Sequence, residues 1–472
     1  MLELYWRNAT SEALRSRRHG ITTADLDSVR RQVVLAHRKV VGQCKAGKLG
    51  YAKLPAHKTY PADVLKLVRK YKARTTDLLV LGIGGSALGN LALQGALRPA
   101  TYNLLSKARR GGGPRLFVLD NVDPAMVKDT LDFLRPRLAT TLVNVISKSG
   151  ETAETASQFM IIREMLRQRL GKRFNERIVA TTDRKKGTLH GIAKNDEYEM
   201  LVVPDDVGGR FSVLSQVGLF SAAMCGIDIG ALLAGAAEMK QRVEAPLRER
   251  PWRKNPACVL AAIQYLAFAK KRKPMHVMMP YSNRLYLLAD WYRQLWAESL
   301  GKRFDRKGRE VFTGPTPIKA LGATDQHSQV QLYREGPNDK LFVFLEVGKH
   351  PREVTIPDAF AEVEGLAYLR GAGLGKLLNA EKLATEYALV QSKRPSVTIR
   401  FDEITPRSVG EFLYLYEFTT SLMGELLNIN AYDQPAVELG KQATFALMGR
   451  PGYEDLAAEI APFAKTDPNC LA

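Results

Sequence analysis

The chain reads as an α/β protein in which parallel sheets are covered by helices on both faces. Apolar runs of strand length at 77–81, 115–119, 141–146, 178–181 and 200–203 alternate with stretches of helical spacing, the pattern of βαβ units. Runs such as Leu142, Val143, Val145 and Ile146 suit a strand buried on both faces. At 472 residues the chain is too long for one ordinary core, which predicts two domains with appendages.

Residues 1 to about 68 are expected to be helical and appended to this framework. Val29 to Val40 carries apolar residues at helical spacing among Arg and Lys, and His19, His37 and His57 read as surface or packing residues. The first sheet opens at Asp77–Leu81 and runs into Gly82-Ile-Gly-Gly-Ser-Ala-Leu-Gly89. Glycines after a strand let backbone approach a ligand where a Cβ would collide. Gly82, Gly84 and Ala87 fit a dinucleotide fingerprint loosely. That reading wants an acid about 20 residues on, and Asp120 lies further away. Ser86 is instead a ligand for a phosphate or a sugar hydroxyl.

After the run at 141–146 come Ser147, Lys148, Ser149, Gly150 and Thr152. A helix should follow, because Phe159, Ile162, Leu166 and Leu170 recur at its period. One hydroxyl suffices to cap a helix, so these hydroxyls, a Gly and a Lys at the positive end of its dipole suit a phosphate. An over-provided cap in a solvated loop is the structural alternative.

Past the run at 200–203, Asp205-Asp-Val-Gly-Gly-Arg-Phe-Ser212 sets Gly208 and Gly209 before Arg210. The sharp turn would carry a fixed charge into a cleft, where it can stabilise an oxyanion. A second α/β unit begins near residue 256, with a strand at Met275–Met279 and a helix at Arg284–Leu300. On that helix Trp291, Gln294 and Glu298 share a stripe. Its structural reading is a Glu paired with a neighbouring Lys or Arg. Leu321-Gly-Ala-Thr-Asp-Gln-His327 places one of the seven histidines in a polar turn before an apparent strand at Val330–Tyr333. Further strands are expected at Lys340–Val347 and Ser396–Phe401. Pro435 ends any helix before it and can begin the next. Lys441 then falls within that following helix, ahead of a partly helical tail.

The composition, 45% hydrophobic and 25% charged, is that of a soluble globular protein. Cys44, Cys225, Cys258 and Cys470 are scattered without CxxC spacing, which points to free thiols and a reducing, cytoplasmic setting. The start lacks a basic segment followed by an apolar one, so no secretory signal is expected. The apolar stretch Val217–Ala237 is long enough to span a membrane. Gly226-Ile-Asp228-Ile-Gly230 within it reads better as a turn between two buried helices. The net charge of +20 comes from short clusters. No helix-turn-helix, zinc-finger or ribonucleoprotein pattern accompanies it, so specific nucleic-acid binding is not expected.

Gly82–Ser86, Ser147–Thr152, Val207–Ser212, Gln294–Lys302, Gly322–His327 and Tyr432–Lys441 together, in this order, resemble the phosphoglucose isomerase family in its compact bacterial form. Gln216 and Ala436 depart from the usual pattern, which has a small residue and a Gly there. The resemblance implies two sugar-isomerase (SIS) domains, at about 69–255 and 256–442. A helical segment at 1–68 and a tail at 443–472 would flank them. It implies an enzyme of glycolysis and gluconeogenesis that interconverts glucose 6-phosphate and fructose 6-phosphate through ring opening and a cis-enediol, with no cofactor or metal. A homodimer is implied, in which the site borrows a His from the partner subunit. By the same carry-over Ser147, Ser149 and Thr152 hold the phosphate, with Lys148 and Ser86 beside them. Gly209, Arg210, Gln294 and Gln434 line the sugar pocket. Glu298 is the expected base, Arg210 the stabiliser of enediolate charge, and His327 and Lys441 the pair that opens the ring. A non-catalytic sugar-phosphate-binding regulator would need the cradle without Glu298, Arg210, His327 and Lys441, and a nicotinamide-dependent oxidoreductase would need a ribose-binding acid.

Overall fold

The computed structural model describes residues 1–247 and 251–472. They form two units, Met1–Ala431 and Tyr432–Ala472. The larger unit holds two five-stranded sheets and a two-stranded one. Its strands are β1 (Glu3–Tyr5), β2 (Asp77–Leu81), β3 (Arg115–Leu119), β4 (Thr141–Ile146), β5 (Ile178–Thr182) and β6 (Glu199–Val202), then β7 (Met275–Pro280), β8 (Lys302–Phe304), β9 (Glu310–Thr313), β10 (Thr316–Lys319), β11 (Lys340–Val347) and β12 (Ser396–Phe401).

The first sheet runs β3-β2-β4-β5-β6, with every neighbouring pair parallel. Every residue of β2, β4 and β5 is buried, as their unbroken apolar runs require. Leu79, Leu81, Val143 and Val145 point to one face, where Leu134, Ile162 and Leu166 of flanking helices close the core. At the strand beginnings Arg115 grips buried Asp77 through Nε at 2.5 Å and Nη2 at 3.0 Å, and these residues are partners in register.

The second sheet runs β1-β12-β11-β7-β10. Four strands are parallel, and β1 adds antiparallel to β12. The amino-terminal segment is therefore not wholly helical. A three-residue strand is too short for periodicity to reveal, and it is anchored where Leu2 N donates to the Glu411 carboxylate at 2.6 Å. Val330–Glu335 is a helix, contrary to the expected strand. A run this short does not distinguish the two periods.

The helix Pro406–Leu426 runs through the interior, with Ser408 to Gly424 buried. It crosses the helix Ile229–Glu244 at backbone contact. A Cβ on Gly235 would lie 1.9 Å from Arg407 O, and one on Gly410 would lie 1.9 Å from Leu232 O. The apolar stretch Val217–Ala237 divides as its turn residues indicate. Helices Gln216–Met224 and Ile229–Glu244 meet at Gly226, and Asp228 caps the second by accepting from Ala231 N at 2.9 Å. No helix among the described residues is long and apolar enough to cross a membrane. The smaller unit carries helices Val437–Leu447 and Glu454–Ile460.

Candidate functional site

The loop from Ser147 to Thr152 lies between the end of β4 and the helix Ala153–Leu170. Thr152 occupies the N-cap position, yet its hydroxyl caps nothing. Ser147 Oγ accepts from Gly150 N at 3.0 Å and lies 3.4 Å from Thr152 Oγ1, while Ser149 Oγ accepts from Glu151 N at 3.2 Å. The hydroxyls fold the loop on itself and leave the helix's first N–H groups without a side-chain cap, a setting for an anion. Gly150 has φ +83°, and a Cβ there would meet Leu189 N at 2.2 Å. Lys148 Nζ donates to Asp205 O at 3.0 Å and remains half exposed.

Leu81 pairs with Val145 across β2 and β4, so the loop after β2 stands next to this cradle. Two distant segments converge on it. A Cβ on Gly84, at φ +57°, would lie 2.9 Å from Gln294 Nε2, and one on Gly85 would lie 2.2 Å from the carbonyl carbon and oxygen of Gly209 and 2.7 Å from Arg210 N. Asp120 follows β3, which pairs with β2, so a potential ribose-binding acid does end a neighbouring strand. The glycine loop is nonetheless filled by Gly209, Arg210 and Gln294, which takes the space a pyrophosphate needs.

Arg210 is 2% exposed. Its guanidinium donates from Nε to Ser299 Oγ at 2.7 Å, from Nη2 to Ala431 O at 2.8 Å and from Nη1 to Glu298 Oε2 at 3.3 Å. Gln294 Nε2 donates to Glu298 Oε1 at 2.9 Å. The Glu298 carboxylate is thus held at both oxygens, one partner being a residue four positions earlier on its own helix. Its side chain keeps 32% of its surface open. Gln294 Oε1 is buried without a partner among the described residues. The expected Glu–Arg pair exists, but it sits at a mouth between elements and not on a solvated face.

His327 is not part of this hydrogen-bonded cluster. It follows the turn Thr324–Gln326 after β10, its N donates to Thr324 O at 3.2 Å, and the residue is exposed. No hydrogen bond among the described residues joins it to Glu298 or Arg210. Gln434 and Lys441 belong to the smaller unit. Gln434 is exposed, and Lys441 Nζ pairs with Glu438 at 2.7 Å while 54% exposed.

Sequence reasoning missed Ser299 and Ala431, which hold Arg210. Ser299 directly follows Glu298, so its position was the available signal; a backbone carbonyl such as that of Ala431 gives none. The two departures from the family pattern are accommodated. Buried Gln216 accepts from Val202 N at 2.5 Å and donates to Asp63 Oδ2 at 3.1 Å, linking β6 to the helix Thr59–Tyr71. Ala436 has φ −64°, so no glycine is needed.

The family model described as phosphoglucose isomerase matches residues 68–457. The glucose-6-phosphate isomerase of Carboxydothermus hydrogenoformans is 46% identical over 465 residues, covering 98% of each chain. That of Rubrobacter xylanophilus is 43% identical, covering 92% of this chain and 96% of the relative. Among solved structures, a hypothetical protein from Thermus thermophilus is 36% identical with TM-score 0.81, covering 95% of this chain and all (100%) of that one.

Proposed function

This chain belongs to the phosphoglucose isomerase family, and on that premise we propose that it interconverts glucose 6-phosphate and fructose 6-phosphate, with Glu298 moving the proton between C2 and C1. The supporting observation is the doubly anchored, partly open Glu298 carboxylate against buried Arg210. A base must be ionised and aimed before substrate arrives. The guanidinium and the Gln294 amide, bonded to its two oxygens, fix its direction. Arg210, with its other donors committed to Ser299 and Ala431, cannot swing away, so it is preorganised for charge growing on the enediolate oxygen.

The phosphate binds Ser147, Ser149 and Thr152 beside Lys148, and binding energy remote from the reacting carbons orients them. Ser86, Gly209, Gln294 and Gln434 contact the sugar, with the unpartnered Gln294 Oε1 available to a hydroxyl. Ring opening moves a proton between O1 and O5 and falls to His327 and Lys441. The exposure of His327 on the single chain suits a homodimer in which that side chain completes the partner's site. The four cysteines are free, consistent with a cytoplasmic enzyme.

Fructose 6-phosphate in heavy water tests the reading. An isomerase incorporates carbon-bound deuterium while glucose 6-phosphate accumulates. Binding without exchange would leave only a sugar-phosphate-binding regulator, and a reaction demanding added nicotinamide would mark an oxidoreductase.

A further inference from the structure

Beyond the isomerase site, the larger unit holds two adjoining cavities walled by residues of both its halves. One, of about 470 Å3, is lined by Ser282 after β7, by Val347 at the end of β11 with Lys349 and Arg352 beyond it, and by Ile404 after β12. These are the carboxyl ends of the second parallel sheet, the edge at which such sheets take ligands. Arg98 and Arg284 complete the wall. The other cavity, of about 360 Å3, shares Arg98, Pro99 and Arg352 with the first and adds Lys72, Arg109 and Arg110. No Asp or Glu lines either cavity among the described residues.

The arginines at the junction are unspent. Arg98, Arg284 and Arg352 have no ion pair among the described residues, and the Nε atoms of Arg98 and Arg284 are buried without a partner. Burial, then the neighbouring charge of Arg352, draws Arg284 below the ordinary guanidinium value; Glu403 opposes this and Arg98 adds to it. The other carboxylates nearby are committed, Asp402 to Lys349 at 3.2 Å and Glu353 to Gly375 N at 2.9 Å. Arg110 is tied to the Gly113 and Leu105 carbonyls. A concave wall of unpaired guanidiniums raises the local concentration of anions, and its planar forks match phosphoryl oxygens.

We propose that this double cavity is a second anion site, taking a small molecule with two or more phosphoryl groups, one against Arg98, Arg284 and Arg352 and another toward Lys72 and Arg109. A single phosphate fills one compartment only, whereas a linear polyphosphate spans both. The site opens at the start of the helix Tyr286–Leu300, whose far end carries Glu298, roughly 20 Å away along the axis.

Calorimetric titration of the full-length enzyme with tripolyphosphate tests this, at fixed ionic strength and with saturating fructose 6-phosphate to fill the Ser147 cradle. One equivalent per chain is expected to bind. The double variant Arg98→Ala/Arg352→Ala should weaken it at least tenfold, with kcat/KM for fructose 6-phosphate unchanged. Arg352→Glu alone, at an exposed position, should weaken it comparably and guards against misfolding of the double variant. Lys148→Ala should leave it intact. Displacement by fructose 6-phosphate, equal affinity in the arginine variants or no binding to the intact enzyme would each overturn the proposal. Normal turnover accompanying any of these would leave the isomerase reading standing.

Discussion

The carboxyl ends of the two sheets hold the same topological position and carry contrasting chemistry. On the first sheet, Gly82–Ser86 and Ser147–Thr152 present backbone N–H groups and hydroxyls, and buried Arg210 is fixed by Ser299, Ala431 and Glu298. On the second, Arg98, Arg284 and Arg352 line cavities without a carboxylate among the described residues. Topology explains why ligands are expected at both edges. How firmly the donors are held separates an edge that can orient a reacting group from one that mainly attracts charge.

The sharpest break of that contrast is Glu298→Gln. Loss of the proposed base should lower kcat about 100- to 10,000-fold while KM changes little, as read by steady-state kinetics. Near-normal kcat would remove Glu298 from the reaction. Arg210→Lys should follow, with kcat down about 100- to 1,000-fold. An ammonium cannot serve Ser299, Ala431 and Glu298 in the guanidinium's geometry, so a lowered Tm should accompany the loss, from a buried polar group left unpaired, about 1–3 kcal/mol. An unchanged rate would show that the first edge needs no fixed charge.

These variants target residues that were legible in the sequence, and the reason is local. Continuous apolar runs announced β2, β4 and β5, and Gly and Ser types at strand ends marked where a ligand approaches. The stripe of Gln294 and Glu298 follows from helix period alone, and the structure realises it as a hydrogen bond. What was hidden depends on distant pairings. That Gly85 must be glycine because Gly209 lies against it is a contact between residues far apart in sequence. The same holds for Ala431 and Arg210, and for Arg98, Arg284 and Arg352, which sequence shows only as scattered charge. The helix at Val330–Glu335 and the strand β1 were too short for periodicity to decide.

A smaller effect is expected at the phosphate cradle. Ser147→Ala removes the acceptor of Gly150 N and one hydroxyl proposed to bind the phosphate. KM for fructose 6-phosphate should rise about tenfold, the equivalent of one hydrogen bond to a charged group, and kcat should change less. A pure kcat loss would mean that the loop shapes chemistry and not binding.

The smallest effect at neutral pH distinguishes the interiors of the two halves. In the first sheet Thr181 Oγ1 donates to Asn144 Oδ1 at 2.7 Å, a buried pair with no proton to titrate. In the second, His276 of β7 is fully buried with neither ring nitrogen bonded among the described residues, and burial draws it down to about 3. Glu417, on the helix Pro406–Leu426, is likewise buried with both oxygens unpartnered, and burial raises its carboxyl well above the ordinary value. The signs oppose. A depressed His contributes stability that is present above its unfolded value, about 6.5, and lost as pH falls toward the folded value. A raised Glu contributes stability that is present below its unfolded value, about 4.3, and lost as pH rises. Between those limits each slope is about 1.4 kcal/mol per pH unit, and they cancel while Glu417 stays protonated. His276→Leu should expose the Glu417 slope, so that urea unfolding shows the variant gaining about 2–3 kcal/mol relative to the parent between pH 6.5 and 4.5. Glu417→Gln should show the mirror trend, gaining relative to the parent as pH rises. A pH-independent difference in either variant would mean that the buried group titrates alike in folded and unfolded chains.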